Sequence, residues 1–173
     1  MELSAKVLAV KPSVTLEIAA KAKAMKAQGI DVISLSAGEP DFDTPDFIKD
    51  AAIEALKKGQ TKYTPVPGTV ELRQAVCRKL KRDQGLDFTP DQIVVGCGAK
   101  HVIFNVLFAL LNPGDEVVIP APFWLSYPEM AKLAGATPVI VETTDQTEFK
   151  LTPEQLRAAI TPRTRLLVLN SPS

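Results

Sequence analysis

The chain has 173 residues, enough for one domain with a hydrophobic core or for one domain and a small extension. Twenty basic residues balance twenty acidic ones, so no strong field favours nucleic acid or a membrane surface as a partner. The longest apolar run is too short to cross a bilayer, and the first residues lack the apolar core of a secretory signal. The two cysteines lie far apart, and no Cys/His cluster suggests a metal site. We therefore expect a cytoplasmic protein with reduced thiols and no metal.

The first half of the chain is predicted to be mainly helical. Residues 1–13 show little periodicity and are predicted to form an arm, whereas residues 14–29 carry apolar side chains at helical spacing. A short strand is predicted over 31–35, followed by a loop rich in glycine, proline and aspartate. Two amphipathic helices follow, each ended by a glycine, and the first is predicted to begin with Thr44 as its cap.

The second half alternates strands with helices. Helices are predicted between the strands, one of them interrupted at Pro128 and another capped by Thr152. Several of the strands are continuously apolar, which is typical of a parallel sheet that is buried on both faces. The predicted fold class is therefore α/β, with a mainly parallel sheet flanked by helices. The predicted strands lie at 91–96, 115–122, 136–143 and 164–170.

A bend of small residues joins the first of these strands to the next helix, at Gly96-Cys97-Gly98-Ala99-Lys100. Small side chains let a backbone approach an anion, and the free N–H groups of a helix's first turn favour a phosphate. The spacing matches neither the P-loop nor the dinucleotide-binding fingerprint. A tight turn without a ligand explains the bend equally well.

Four single residues are further candidates, each with a plainer alternative. Trp124, the only tryptophan, is expected at the carboxyl edge of the sheet, where it could stack on a flat ring or simply pack. Gly38 could offer its N–H to a carboxylate or only form a turn, and Tyr63 could reach a ligand or lie on the surface. His101 has no acid or nucleophile arranged around it in the sequence and is assigned a structural role.

Five motifs follow one another along nearly the whole chain: SLSAGEPDFDTP, KYTPVPGTVELRQAV, IVVGCGAKHVIFNVL, LNPGDEVVIPAPFWLSYPEM and ITPRTRLLVLNSPS. Their order and spacing resemble the class I and II pyridoxal-phosphate-dependent aminotransferases, and most closely the bacterial aspartate aminotransferase-like branch. The resemblance implies an incomplete large domain of a fold-type I pyridoxal-phosphate transferase. It implies an N-terminal arm and small-domain segment over residues 1–45, and the first part of the large domain over 46–173.

The resemblance also implies roles for individual residues in a homodimer. Backbone N–H groups at Ala99 and Lys100 would hold the cofactor phosphate, and Tyr63 would reach it from the neighbouring subunit. The ring of Trp124 would stack on the pyridine ring, and Gly38 would contact the α-carboxylate of the substrate. The implied cofactor-binding residues are thus Gly98, Ala99, Lys100, Trp124 and Tyr63, and the implied substrate-binding residues are Gly38 and Trp124.

The family's Schiff-base lysine is expected to lie beyond Ser173, since none of the fourteen lysines stands in the family's Ser-Lys context. This chain is therefore expected to hold no catalytic residue and to be inactive alone. The whole enzyme would move an amino group from aspartate or a similar amino acid to a 2-oxo acid, in amino acid biosynthesis. Two alternatives stay open. One is a related enzyme that uses aromatic or prephenate-type substrates or performs β-elimination, and the other is a non-catalytic fragment that acts as a binding module.

Overall fold

The computed structural model describes residues 2–35, 38 and 40–171. Internal packing divides them into two compact units. One unit is Val14–Gly96, and the other combines the described residues up to Ser13 with those from Cys97 onward. This division by packing does not test the domain boundary predicted between residues 45 and 46, which stays a prediction.

The described residues form seven α-helices and three β-strands. All the predicted helices are present, and the predicted arm contains one helical turn, α1. In chain order the helices are α1 (Ala5–Leu8), α2 (Val14–Ala27), α3 (Asp46–Lys57), α4 (Val70–Gln84), α5 (Ala99–Leu110), α6 (Ser126–Leu133) and α7 (Pro153–Ala159). The strands are β1 (Glu116–Ala121), β2 (Thr137–Glu142) and β3 (Thr164–Leu167), and single 3-10 turns lie at Pro90–Gln92 and Asp145–Thr147.

The three strands form a parallel sheet in the order β2-β1-β3, as the apolar runs predict. The central strand β1 is covered on both faces, and Val117, Val118 and Ile119 are at most 1% exposed. Strand β2 pairs with β1 along its whole length, whereas the pairing of β3 with β1 is irregular between Glu116 and Val117. The carboxyl ends of all three strands therefore point to one edge of the sheet, where the loops that follow them lie.

In the unit that contains the sheet, the hydrophobic core lies between the sheet and two helices. Leu107 of α5 and Met130 and Ala131 of α6 are buried against Val117 and Ile119 of β1. In α6 the buried Tyr127 precedes Met130 and Ala131 by one turn, and in α5 the partly buried Ile103 precedes Leu107 by one turn, so one face of each helix is turned inward. Burial of these helices against β1 fixes the loops at both of their ends relative to the sheet.

Two predicted strands are wrong. Residues 31–35 and Ile93–Gly96 have no regular structure, although both stretches are apolar enough for a strand. A strand exists only where a neighbouring strand pairs with it. Near Ile93 the described residues supply one such contact, from the N–H of Val95 to the carbonyl of Pro67, and no ladder. Val94 therefore remains 71% exposed.

The starts of the helices follow local hydrogen-bonding chemistry. As predicted, Thr152 caps α7: its Oγ1 accepts the N–H of Gln155 at 3.2 Å, and the Oε1 of Gln155 accepts the N–H of Thr152 at 3.0 Å. The predicted cap of α3 is wrong, because Pro45 rather than Thr44 precedes the helix and no side chain caps it. The predicted interruption at Pro128 is also wrong. This proline lies in the first turn of α6, where its missing N–H would have had no partner within the helix.

Glu116, at the start of β1, ties this strand to the turn before β3. Glu116 is 5% exposed, and its carboxylate accepts hydrogen bonds from Thr161 Oγ1 at 2.6 Å and Arg163 Nε at 2.9 Å. It also forms an ion pair with Nη2 of Arg163. The bond from Thr161 and then those from Arg163 hold the pKa of the Glu116 carboxyl below its ordinary value. The charged form of Glu116 therefore fastens the amino-terminal edge of the sheet.

Candidate functional site

The bend before α5 exposes backbone donors at the start of a helix. Gly98 precedes α5 with φ 87° and ψ 163°, a conformation that is open to glycine almost alone. A Cβ built on Gly98 would meet no atom within 4 Å, so conformation and not space requires glycine here. No side chain caps this end of α5, and the first N–H groups, including those of Ala99 and Lys100, have no acceptor within the helix. The bend can therefore donate hydrogen bonds to an anion.

His101 supports the bend from within the first turn of α5. Its Nδ1 accepts the backbone N–H of Cys97 at 3.0 Å, and its Nε2 lies 3.1 Å from the side-chain amide nitrogen of Asn105. A neutral ring whose Nδ1 accepts carries its proton on Nε2, which the side-chain oxygen of Asn105 can meet once the amide is turned. His101 therefore holds the backbone of the residue before Gly98, in keeping with the structural role predicted for it.

Trp124 lies beside the start of α5. It belongs to the loop between β1 and α6, at the carboxyl end of β1, and 41% of it is exposed. The Nζ of Lys100 lies over its ring, 4.7 Å from the centroid, which is a cation–π distance. The structure thus brings Lys100 and Trp124 together at one edge of the sheet. Their roles toward a cofactor stay predictions.

A cleft of about 420 Å³ opens at the carboxyl ends of β1 and β3. Tyr127 and Asn170 both line it, and the Tyr127 hydroxyl donates to Oδ1 of Asn170 at 3.0 Å. The Tyr127 ring also meets Trp124 edge to face, with centroids 5.4 Å apart and planes at 86°. Neither Trp124 nor the Gly98–Lys100 bend lines the cleft itself.

Sequence reasoning missed the pairing of Tyr127 with Asn170. A signal for Asn170 existed, because it is the last residue of the last predicted strand and so lies at the carboxyl edge of the sheet. Tyr127 carried no such signal, since it falls inside a predicted helix. The two residues are 43 positions apart in the sequence, and the parallel pairing of β1 and β3 brings them together.

Gly38 and Tyr63 belong to the other unit, Val14–Gly96, and are described by themselves. Tyr63 is fully exposed in the irregular stretch between α3 and α4. A Cβ built on Gly38 would meet no atom within 4 Å. The roles of both in binding stay predictions. Several neighbours in the predicted motifs lie outside the described residues: Ser36, Ala37, Glu39, Pro172 and Ser173.

Two features of the described residues concern metals and membranes. Residues 2–35, 38 and 40–171 contain no group of three side chains that could hold a metal ion. Within the same residues, no helix has the length and apolar character needed to cross a membrane. Cys77 is partly buried, Cys97 is exposed, and both are free thiols.

The chain is similar to known proteins along its length. The family model of aminotransferase class I and II matches residues 30–173. The aspartate/prephenate aminotransferase of Cereibacter sphaeroides is 58% identical over 95% of this chain and 41% of its own length. The aspartate aminotransferase of Geobacillus stearothermophilus is 54% identical over 100% of this chain and 44% of its own length. The solved aspartate aminotransferase from Thermus thermophilus with maleate has 49% identity and a TM-score of 0.96, over 100% of this chain and 45% of its own. The chain thus spans less than half the length of these relatives.

Proposed function

The chain belongs to the family of class I and II aminotransferases, and on this premise we propose that the whole protein is a pyridoxal-phosphate-dependent transaminase. It moves an amino group from aspartate or a similar amino acid to a 2-oxo acid. Membership confirms the family predicted from the motif order, and the similarity to solved aminotransferases confirms its fold-type I architecture. The activity is proposed for the whole protein, because the chain covers less than half of its relatives.

The observation that carries this proposal within the chain is the meeting of Lys100 with Trp124. Their 4.7 Å contact sets an exposed aromatic face beside a helix start that has free N–H donors. Pyridoxal phosphate combines a flat aromatic ring with a phosphate, so it needs these two features close together. The residues present therefore fit the cofactor that the family uses.

Each residue of the candidate site has a distinct task in the proposed reaction. The backbone N–H groups of Ala99 and Lys100 hold the phosphate, and Gly98 keeps the backbone in the conformation that presents them. Trp124 covers a face of the pyridine ring and keeps water from it. When bound, the cofactor supplies an electron sink for the charge that develops on the substrate. For Gly38, which belongs to the other unit, we propose separately that its N–H binds the α-carboxylate of the substrate in the whole protein.

An assay of the whole protein tests the proposal. With pyridoxal phosphate, aspartate and 2-oxoglutarate, oxaloacetate and glutamate are expected in equal amounts, together with a change in the absorbance of the cofactor. The matched control omits 2-oxoglutarate, which stops the reaction after a single half-turnover. No oxaloacetate above the control, in a folded protein that binds the cofactor, would contradict the assignment.

A second substrate is favoured by the relatives. The Cereibacter sphaeroides protein is named an aspartate/prephenate aminotransferase, whereas the Geobacillus stearothermophilus protein is named an aspartate aminotransferase. We therefore add prephenate as a candidate amino acceptor. Replacing 2-oxoglutarate with prephenate in the same assay separates the two: consumption of prephenate with release of oxaloacetate supports the wider acceptor range, and no consumption restricts it.

We also propose that the whole protein works as a cytoplasmic homodimer in amino acid biosynthesis. The predicted role of Tyr63, which reaches the phosphate of the neighbouring subunit, supports this proposal, and so does its full exposure in its own unit. Sedimentation equilibrium of the whole protein is expected to give twice the mass of one chain. A monomer that still binds the cofactor normally would contradict the assembly.

A further inference from the structure

Tyr127 joins two parts of the candidate site that are far apart in sequence. Its ring packs edge to face on Trp124, and its hydroxyl donates to Asn170 in the loop after β3. Its backbone N–H also donates to the carbonyl of Trp124 at 3.0 Å. Tyr127 itself is 8% exposed, whereas Trp124 is 41% exposed. The buried residue of the pair therefore restrains the half-exposed one.

We propose that Tyr127 is a positioning residue that sets the plane of the Trp124 indole, with Asn170 holding the Tyr127 ring in place. The proposal rests on the function proposed above, since the indole plane matters because the cofactor ring stacks on it. Tyr127 acts through Trp124 and does not touch the cofactor.

The hydroxyl of Tyr127 distinguishes this role from ordinary core packing. A phenylalanine would fill the same space between α6 and β1, where the ring meets the core cluster. The hydroxyl instead reaches Oδ1 of Asn170 across the sheet edge. Rotation about the Cα–Cβ bond of a tyrosine moves its hydroxyl, so a phenol that is hydrogen-bonded at its tip cannot turn about this bond without breaking the hydrogen bond. The bond to Asn170 therefore keeps the Tyr127 ring against the indole.

Two side chains that contact the indole ring of Trp124 differ in rigidity. The Lys100 ammonium lies over the ring but is carried by a flexible four-carbon chain that can follow the indole as it moves. The edge-to-face contact with Tyr127, at 86°, is the rigid one. A change of the Tyr127 ring therefore tilts the surface that Trp124 presents to a stacked pyridine.

The test uses the whole protein labelled with 5-fluorotryptophan, in which a Trp124→Phe variant assigns the fluorine resonance of Trp124. The informative variant is Tyr127→Phe, which keeps the ring and removes only the bond to Asn170. Tyr127→Leu removes the ring as well. Met130→Leu is the control, because Met130 is a buried core residue on the same helix, and this swap nearly conserves volume.

We expect Tyr127→Phe to broaden or split the Trp124 resonance in the cofactor-free protein, and Tyr127→Leu to shift it. The dissociation constant of pyridoxal phosphate is expected to rise by up to about 5-fold in Tyr127→Phe, because ordering the loosened rings on binding costs at most about the free energy of the lost hydrogen bond. Induced circular dichroism of the bound cofactor should weaken in parallel. Met130→Leu should leave the Trp124 resonance and the induced circular dichroism as in wild type. Its dissociation constant for pyridoxal phosphate should stay within about 2-fold of the wild-type value.

The outcomes separate the two proposals. A Trp124 resonance and a cofactor affinity in Tyr127→Phe that match wild type overturn the positioning role, as does an equal change in Met130→Leu. If Tyr127→Leu fails to fold, Tyr127→Phe still decides. If wild type does not bind the cofactor, the proposed function fails, while the fluorine spectrum of Tyr127→Phe still shows whether Tyr127 fixes Trp124.

Discussion

At the scale of single residues, Gly98 has the most sharply defined requirement. Its φ of 87° and ψ of 163° are open almost only to glycine, while the space around its missing Cβ is free. A substitution there acts on the backbone path and so on the direction of the donors that follow. Lys100 is the useful contrast, because its predicted contribution to phosphate binding comes from its backbone.

We predict that Gly98→Ala lowers the free energy of unfolding by about 1–3 kcal/mol, the usual strain of a side chain in this conformation. The affinity for pyridoxal phosphate should fall about 10-fold or more, because the N–H groups turn away from the phosphate. Lys100→Ala should reduce the affinity for inorganic phosphate much less than Gly98→Ala does, because it keeps the backbone N–H groups in place. Absorbance titration and urea unfolding measure these effects, and equal binding by Gly98→Ala and wild type would contradict the role of the bend.

A second prediction at this scale concerns acid. The hydrogen bonds from Thr161 and Arg163 lower the pKa of Glu116 in the folded state below its ordinary 4.5. The unfolded state therefore binds this proton at a higher pH than the folded state does. The contribution of Glu116 is complete above the ordinary pKa and disappears as the pH falls through the lower, folded value.

Urea unfolding as a function of pH measures this contribution. Wild type should lose stability below about pH 4.5 more steeply than Glu116→Gln, which has no proton to gain there. Glu142→Gln is a control, since Glu142 ends β2 at the exposed opposite end of the sheet. The same pH slope in wild type and Glu116→Gln would show that the charge of Glu116 does not fasten the sheet.

At the scale of elements, the central strand β1 is the most buried strand of the unit that contains Cys97–Ser171. Ile119 of β1 is 1% exposed and lies opposite Ile140 of β2, which is 37% exposed. Two isoleucines thus lie opposite each other in the sheet, one buried and the other partly exposed. This pair allows burial to be tested with the chemistry held constant.

We predict that Ile119→Ala lowers the free energy of unfolding by about 2–5 kcal/mol, because it leaves a cavity in the core. Ile140→Ala should cost about half as much or less, since part of its side chain is already in water. Chemical denaturation of both variants checks the ratio. Equal losses would mean that β1 is not the centre of a core covered on both faces.

The elements also show what the sequence could predict. Helix starts such as that of α7 depend on neighbours within four residues, and the capping pair of Thr152 and Gln155 is visible in the sequence. The strand predicted at 91–96 failed, because pairing depends on partners elsewhere in the chain. The Gly98 bend and the sheet-edge position of Trp124 were predictable from local pattern. The contact of Tyr127 with Asn170 was not, since it arises only once β1 and β3 are aligned.

At the scale of the whole molecule, the chain covers 41% of the Cereibacter sphaeroides relative and 44% of the Geobacillus stearothermophilus relative. None of its fourteen lysines stands in the family's Ser-Lys context, so the reactive lysine is predicted to lie elsewhere in the whole protein. The candidate phosphate and ring contacts, in contrast, are within the chain. Binding and chemistry should therefore separate when the 173 residues are studied alone.

We predict that the 173-residue chain binds pyridoxal phosphate weakly, depends on the phosphate for that binding, and catalyses no transamination above the rate of free cofactor. Pyridoxal without its phosphate is the matched ligand control. Borohydride reduction followed by mass mapping should find no specific lysine adduct. A single modified lysine, or a measurable rate of oxaloacetate formation, would contradict this prediction.

The strand order β2-β1-β3 has a consequence for biosynthesis. The ribosome makes the middle strand first, then the strand for one of its flanks, and then the strand for the other. The sheet can therefore assemble outward from β1, because β2 and then β3 pair with a strand that has already been synthesised. The most buried strand, β1, is therefore synthesised before the two strands that pair with it. Helix α5 is synthesised just before β1, so it is the first element that can pack against the apolar side chains of β1.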